Sequence, residues 1–127
     1  VTDDETARSI GDALRRALST KDLASLRPLL AEDVRWGDDG HPRSCRGREA
    51  VLSLMTARLA EGAEATIAEI TPGPAGVLCE LDVSWPPGSG RPARRTFHVY
   101  ELRHGRIVEI HAFEDRASAA TTAGLGA

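Results

Sequence analysis

The sequence is short of lysine, cysteine and aromatic side chains, and it has no long apolar run. Lys21 is the single lysine among 16 basic residues, which face 19 acidic ones for a net charge of −3. The basic footprint of a nucleic-acid-binding protein is therefore missing. The arginine bias and the abundant alanine read as coding bias of a GC-rich genome. Cys45 and Cys79 make neither a CxxC pair nor a disulfide framework, and a reducing, cytoplasmic compartment is the simpler reading. No apolar stretch approaches the roughly 20 residues of a membrane helix. The opening VTDDETARS is polar and acidic, unlike a secretory signal peptide. GxGxxG, a P-loop lysine and a GxSxG elbow are all absent, so no cofactor is implied. His41, His98, His104 and His111 show no zinc or facial-triad spacing, so no metal is expected.

What is present fits one globular domain over residues 1–127, of which 41% are hydrophobic and 28% charged. Ala7, Ile10, Leu14, Ala17 and Leu18 recur at helical spacing and predict a helix over 4–19, with Asp3, Asp4 and Glu5 at its N-terminus. Asp22 reads as the N-cap of a short second helix that Pro28 distorts. Val34 and Trp36 suggest a short strand, followed by a polar loop over 37–46. A third helix is expected over 48–61, with Gly62 ending it. Strands follow at 64–70, 77–85, 96–103 and 106–114, the last two joined at His104-Gly105. Residues 117–127 are small and polar and read as a fraying tail. The order predicts an α+β fold: three N-terminal helices over the concave face of a curved antiparallel sheet, enclosing a pocket.

The hairpin decides which side chains share that pocket. A three-residue loop over Arg103-His104-Gly105 with Gly105 as bulge shifts strand parity by one. Thr96, His98, Tyr100 and Leu102 then share the inner face with Val108, Ile110, Ala112 and Glu114. A two-residue His104-Gly105 turn would instead put His98 opposite His111 on one face. That turn needs positive φ at both positions, which His tolerates less well than Asn or Asp, so the bulged loop is favoured.

LAEDVRW, CRGREAVLSLM and FHVYELRHGRIVEIHAFED, in that order and spacing, resemble the nuclear-transport-factor-2-like superfamily in its SnoaL-like (polyketide-cyclase-like) branch. The resemblance spans about residues 8 to 116. It implies a cone-shaped half barrel with a concave pocket, and often a homodimer through the convex face, here Phe97, Val99, Ile107 and Phe113. It does not fix a function, since the superfamily holds isomerases, epoxide hydrolases, cyclases, dehydratases and non-catalytic modules. The general base of ketosteroid isomerase falls at Asp38 and its hydrogen-bonding Asp at His98. Its catalytic Tyr falls at Leu14, and the acid of limonene epoxide hydrolase at Ala112, so neither constellation is complete.

Asp38 is the candidate general base, since desolvation at the mouth of an apolar cavity raises a carboxylate's pKa. It is equally a loop Asp turning the chain beside Asp39 and Gly40. His98 is the candidate partner for a developing oxyanion, against a satisfied half-buried strand His. Tyr100 shares its face and offers a second hydroxyl donor. Val34, Trp36, Cys79, Leu81, Val83 and Ile110 are the expected apolar wall. Trp36 and Trp85 read as wall in a chain with two Trp, one Tyr and two Phe. Glu114 is a candidate acid or ion-pair partner, and Asp115 is read as structural. Cys45 lies among Arg43, Arg46 and Arg48, which would lower its thiol pKa, but no base stands beside it. Arg91, Arg94 and Arg95 form a denser basic cluster. It reads as a solvated strand end, with an anion-binding role as the alternative.

The leading expectation is a cofactor-independent acid–base enzyme on a small, mostly apolar organic molecule. The rival is a non-catalytic small-ligand-binding or dimerisation module of the same fold.

Overall fold

The computed structural model describes residues 4–37 and 44–125. Helix α1 (Asp4–Thr20) buries Ala7, Ile10, Leu14, Ala17 and Leu18, the stripe that its periodicity marks, and holds Asp4 and Glu5 in its first turn. The next segment, Leu23–Leu29, is a 3-10 helix containing Pro28. Proline denies the i→i−4 bond an α-helix needs there. Asp22 precedes it without a side-chain cap; Ser25 Oγ instead donates to the Asp22 carbonyl at 2.7 Å. Strand β1 (Leu30–Trp36), the two-residue β2 (Cys45–Arg46) and α2 (Arg48–Ala60) follow. Then come β3 (Glu64–Gly73), β4 (Gly76–Ser84), β5 (Arg94–Arg103), β6 (Arg106–Phe113) and a C-terminal α3 (Arg116–Ala123).

The six strands run in the order β2-β1-β6-β5-β4-β3. The meander from β3 to β6 is antiparallel, as its alternation suggests, but β1 lies parallel to β6, so the sheet is mixed. It is also open, with β2 and β3 at its edges. This corrects the expected cone-shaped half barrel with three N-terminal helices. Only α1 and the 3-10 helix precede the sheet. α2 is inserted between β2 and β3, and α3 follows the last strand.

α3 occupies the segment whose small residues read as a tail. Asp115 caps it, its carboxylate accepting from Ser118 N at 2.7 Å and Ser118 Oγ at 2.9 Å. Gly124 ends it in the left-handed conformation (φ +79°). Ala119 and Ala123 lie buried against Leu78 and Val99, with Phe97 and Phe113 at the margin. Alanine lets the helix sit close to the sheet: a Cβ at Gly73 would come within 2.4 Å of the Ala123 carbonyl oxygen. The run from Gly76 to Leu81 in β4 is consequently buried on both faces. Glu80 lies within that run, 6% exposed. Arg116 Nε reaches it at 3.2 Å from the first turn of α3.

The β5–β6 hairpin combines features of both expectations. Arg103 pairs with Arg106, so the connection is a two-residue turn with positive φ at His104 (+53°) and Gly105 (+76°). Parity nevertheless shifts, because Glu101 pairs with Glu109 while Leu102 pairs with Ile107, leaving Val108 as a bulge inside β6. His98 therefore faces inward opposite Ala112, and His111 faces outward opposite Val99. The bulge also turns Ile107 into the main core with Tyr100 and Ile110. The outer face thus loses Ile107, and α3 covers Val99, so two of the four residues expected at a homodimer face are buried within the chain.

Candidate functional site

A cavity of about 240 Å³ lies between the inner face of the sheet and the helices. Leu54, Met55 and Leu59 of α2 and Leu18 of α1 close one side of it. Trp36, Leu81, Val83, Thr96, His98, Tyr100 and Ala112 supply the sheet side. Period-two alternation along β5 puts Arg94, Thr96, His98 and Tyr100 on this one face. Trp85, just beyond β4, and Arg58 of α2 complete the wall.

Among the expected apolar wall residues, Trp36, Leu81 and Val83 line the cavity. Val34, Cys79 and Ile110 belong instead to the packed core and are essentially unexposed. Glu114 is exposed beyond the end of β6 and is not among the lining residues. Asp38 and His41 lie outside the described residues. Leu14, at the position where the resemblance puts a catalytic Tyr, is buried in the core.

Tyr100 is 1% exposed and His98 half-buried. Their polar atoms meet, His98 Nδ1 lying 3.1 Å from Tyr100 Oη. The Trp36 ring stands edge-on to the imidazole, 5.5 Å between centroids at 82°. Burial pushes the His98 pKa down to about 4, and the charges of Arg94 and Arg58 push in the same direction. Burial raises the Tyr100 pKa well above its usual value, with the Cys79 thiol adding to the effect. At neutral pH the pair is a neutral imidazole beside a neutral phenol. Such a pair shares one proton across its contact, donated by the phenol or by Nδ1 according to the imidazole tautomer.

No Asp or Glu lines the cavity among the described residues, whereas two arginines do. Arg58 is a functional candidate that sequence reasoning missed, while Arg94 belongs to the basic cluster for which anion binding is the alternative reading. A signal existed for each. Arg94 shares β5 parity with His98, and Arg58 lies three residues after Met55 on the cavity side of α2. Charge on a strand end or helix is usually solvated, which is why neither stands out from the pattern alone.

Both cysteines are free. Cys79 is buried and its thiol is pushed up to about 12 by desolvation, which leaves it inert. Burial also raises the Cys45 thiol, overriding the lowering expected from its neighbouring arginines.

On the outer face, Glu101, Glu109 and His111 bring three potential ligand atoms within 4.8 Å of one another. Histidine spacing along the chain does not show this cluster, because it arises across the ladder, where Glu101 pairs with Glu109. Its charges are met from within the protein: Arg35 Nη2 lies 2.8 Å from Glu109, and His111 Nε2 lies 3.0 Å from Glu101.

A family model for the SnoaL-like domain matches residues 12–110. No curated protein matches the sequence. Solved structures share the fold at low identity. An NTF2-like protein of unknown function from Mesorhizobium loti superposes with a TM-score of 0.74 at 19% identity, over 91% of this chain and 97% of that one. An LEH-like epoxide hydrolase of Mycobacterium tuberculosis gives 0.68 at 23% identity, over 94% and 89%. A second M. tuberculosis protein, in complex with estradiol-17beta-hemisuccinate, gives 0.69 at 19% identity, over 88% and 95%. Among the described residues, no helix is long and apolar enough to cross a membrane.

Proposed function

The chain belongs to the SnoaL-like domain family, and on that premise we propose that it is a cofactor-independent acid–base enzyme for a small, mostly apolar organic molecule bound in the cavity. The observation that carries this reading is the 3.1 Å contact between His98 Nδ1 and Tyr100 Oη beside an apolar wall. In the proposed tautomer the phenol donates to Nδ1, so the imidazole proton sits on Nε2 and points at the ligand. A neutral imidazole of low pKa polarises a carbonyl without surrendering its proton, and a water-poor site strengthens that hydrogen bond. Asp38 is the proposed general base. Its carboxylate takes a proton from the carbon α to the carbonyl, and the resulting enolate oxygen accepts from His98 Nε2. The relative that holds estradiol-17beta-hemisuccinate supports a small-molecule role for the fold. Two free cysteines, one of them deeply buried, fit the proposed cytoplasmic location. A homodimer, where it forms, would use the strip of outer face around Arg35, Glu109 and His111 that α3 leaves open. Light scattering at micromolar concentration tests for it.

A specific observation favours the rival, a binding module without turnover: Leu14, where the resemblance puts a catalytic Tyr, is packed in the core. Deuterium exchange α to the carbonyl of a small apolar ketone, followed by NMR in D2O, separates the two. The enzyme reading expects acceleration over buffer, and losses of about 10²-fold or more in Asp38→Asn and in His98→Gln. A ketone that binds yet exchanges no faster than in buffer establishes the module.

A further inference from the structure

The cluster of Arg91, Arg94 and Arg95 does not act as a unit. Arg95 turns to the outer face and grips Asp82 with two hydrogen bonds, Nε to Oδ1 at 2.8 Å and Nη2 to Oδ2 at 2.9 Å. Arg91 stacks over the Trp85 ring at 4.2 Å and binds Glu61 at 3.0 Å. Arg94 alone has the parity of His98 and enters the cavity wall, where no acid meets it among the described residues. Arg58, on the opposite wall, also has no acidic partner among them; Glu61, just past the end of α2, is engaged by Arg91.

Two guanidinium groups thus border one apolar cavity whose described lining holds no carboxylate. A guanidinium is always charged and offers a planar fork of donors that fits a carboxylate. Their joint field already reaches inside, since both Arg94 and Arg58 depress the His98 pKa. A site that concentrates positive charge at an apolar opening recruits an anion and repels a cation.

We infer that the ligand is an amphiphilic organic anion, whose apolar body fills the cavity and whose carboxylate or similar anionic group is held by Arg58 and Arg94. This inference rests on reading the cavity as a small-molecule site and adds the chemical class of its occupant. The strand also supplies a length. Arg94 and His98 are four residues apart on β5, roughly 13 Å along an extended chain. The arginine side chain takes up part of that span. The anionic group therefore sits several bonds away from the part of the ligand that meets His98 and Tyr100, with apolar atoms between. A cavity of about 240 Å³ lies below the roughly 300–1,000 Å³ of drug-sized sites, which limits that body to about one ring or a short chain.

The test compares cyclohexylbutyrate with cyclohexylbutyramide, which differ only in the anionic group. Trp36 and Trp85 are the protein's two tryptophans and both line the cavity, so their emission reads occupancy. The carboxylate is expected to bind at least about tenfold more tightly than the amide, and added salt should shrink that ratio. Arg58→Gln with Arg94→Gln should bring the ratio close to one while the amide still binds. Should the double variant fold poorly, the acid-to-amide ratio of the unaltered protein and its salt dependence still decide. Equal affinity for acid and amide overturns the inference and leaves the small-molecule reading standing. A preference that survives in a folded double variant overturns the assignment to these arginines. Silence of both tryptophans to both probes up to millimolar concentration overturns the cavity reading, and the inference with it.

Discussion

His98 and Tyr100 stand two residues apart on β5 and share one face of the sheet, with Nδ1 and Oη 3.1 Å apart. Burial, reinforced by the charges of Arg94 and Arg58, keeps the imidazole of that pair neutral. In the folded protein the His98 pKa is depressed to about 4, against 6.5 ordinarily. Between those values the unfolded chain binds more protons than the folded one, so stability falls as pH drops through that window. The expected loss attributable to His98 is on the order of 3 kcal/mol from pH 7 to below pH 4. Urea denaturation at a series of pH values, compared with His98→Gln, isolates it: the variant should show a shallower decline over pH 4–6.5. Parallel curves for the two proteins would show that His98 titrates normally.

Tyr100→Phe removes the hydroxyl and keeps the ring in its buried place. Under the proposed tautomer, the proton on His98 then loses its preference for Nε2, since nothing donates to Nδ1. Nitrogen NMR of the imidazole should show a single neutral tautomer in the parent protein and a mixture in the variant. Under the proposed chemistry, exchange of an apolar ketone should fall by about 10²-fold with little change in ketone affinity. Equal loss of affinity and turnover would mean that Tyr100 merely shapes the cavity.

The His104-Gly105 turn carries a removable strain. His104 adopts φ +53°, a region Asn enters more readily than His, and the next residue, Gly105, has φ +76° as a tight mirror-image turn requires. His104 is exposed, so replacing it removes no packing. His104→Asn should raise stability by about 0.5 kcal/mol, read as a higher thermal midpoint with unchanged ligand binding. A lowered midpoint would show that the imidazole makes a compensating contact.

The same hairpin marks where the sequence stops being legible. The amphipathic period of α1 and the alternation in β4 and β5 are strong patterns, and they point to the elements found. The parity of β6 depends on Val108, one residue in a strand whose composition gives no sign of a bulge. The connection is a two-residue turn and not a bulged loop, yet His98 still faces inward, because one extra residue shifts parity wherever it is inserted. α3 escaped because its buried face is alanine, which barely differs in hydrophobicity from its Thr and Ser neighbours. The parallel placement of β1 against β6 is a long-range pairing that no local pattern encodes. Within the site, β5 alternation was enough to group His98 with Tyr100. Arg58 and Arg94 become informative only once it is known which acids their neighbours have already taken.

The outer layer supplies the last prediction. Glu80 is buried beneath Arg116 and Arg95, at 3.2 Å and 3.7 Å, and Arg116 belongs to the first turn of α3. The carboxylate therefore links β4 to a helix whose own burial rests on small alanine side chains. Removing one member of a buried ion pair leaves the remaining charges poorly compensated. Glu80→Gln keeps the shape and should cost about 1–3 kcal/mol. The effect should be local: amides of Arg116–Ala123 should exchange faster while those of α1 keep their protection. Gly73→Ala approaches the same junction from the other side, since its Cβ would lie 2.4 Å from the Ala123 carbonyl oxygen. It should loosen the same amides without touching any charge. Uniform loss of protection across the chain in both variants would show that α3 unfolds only with the whole domain. Unchanged exchange in both would show that neither contact holds it.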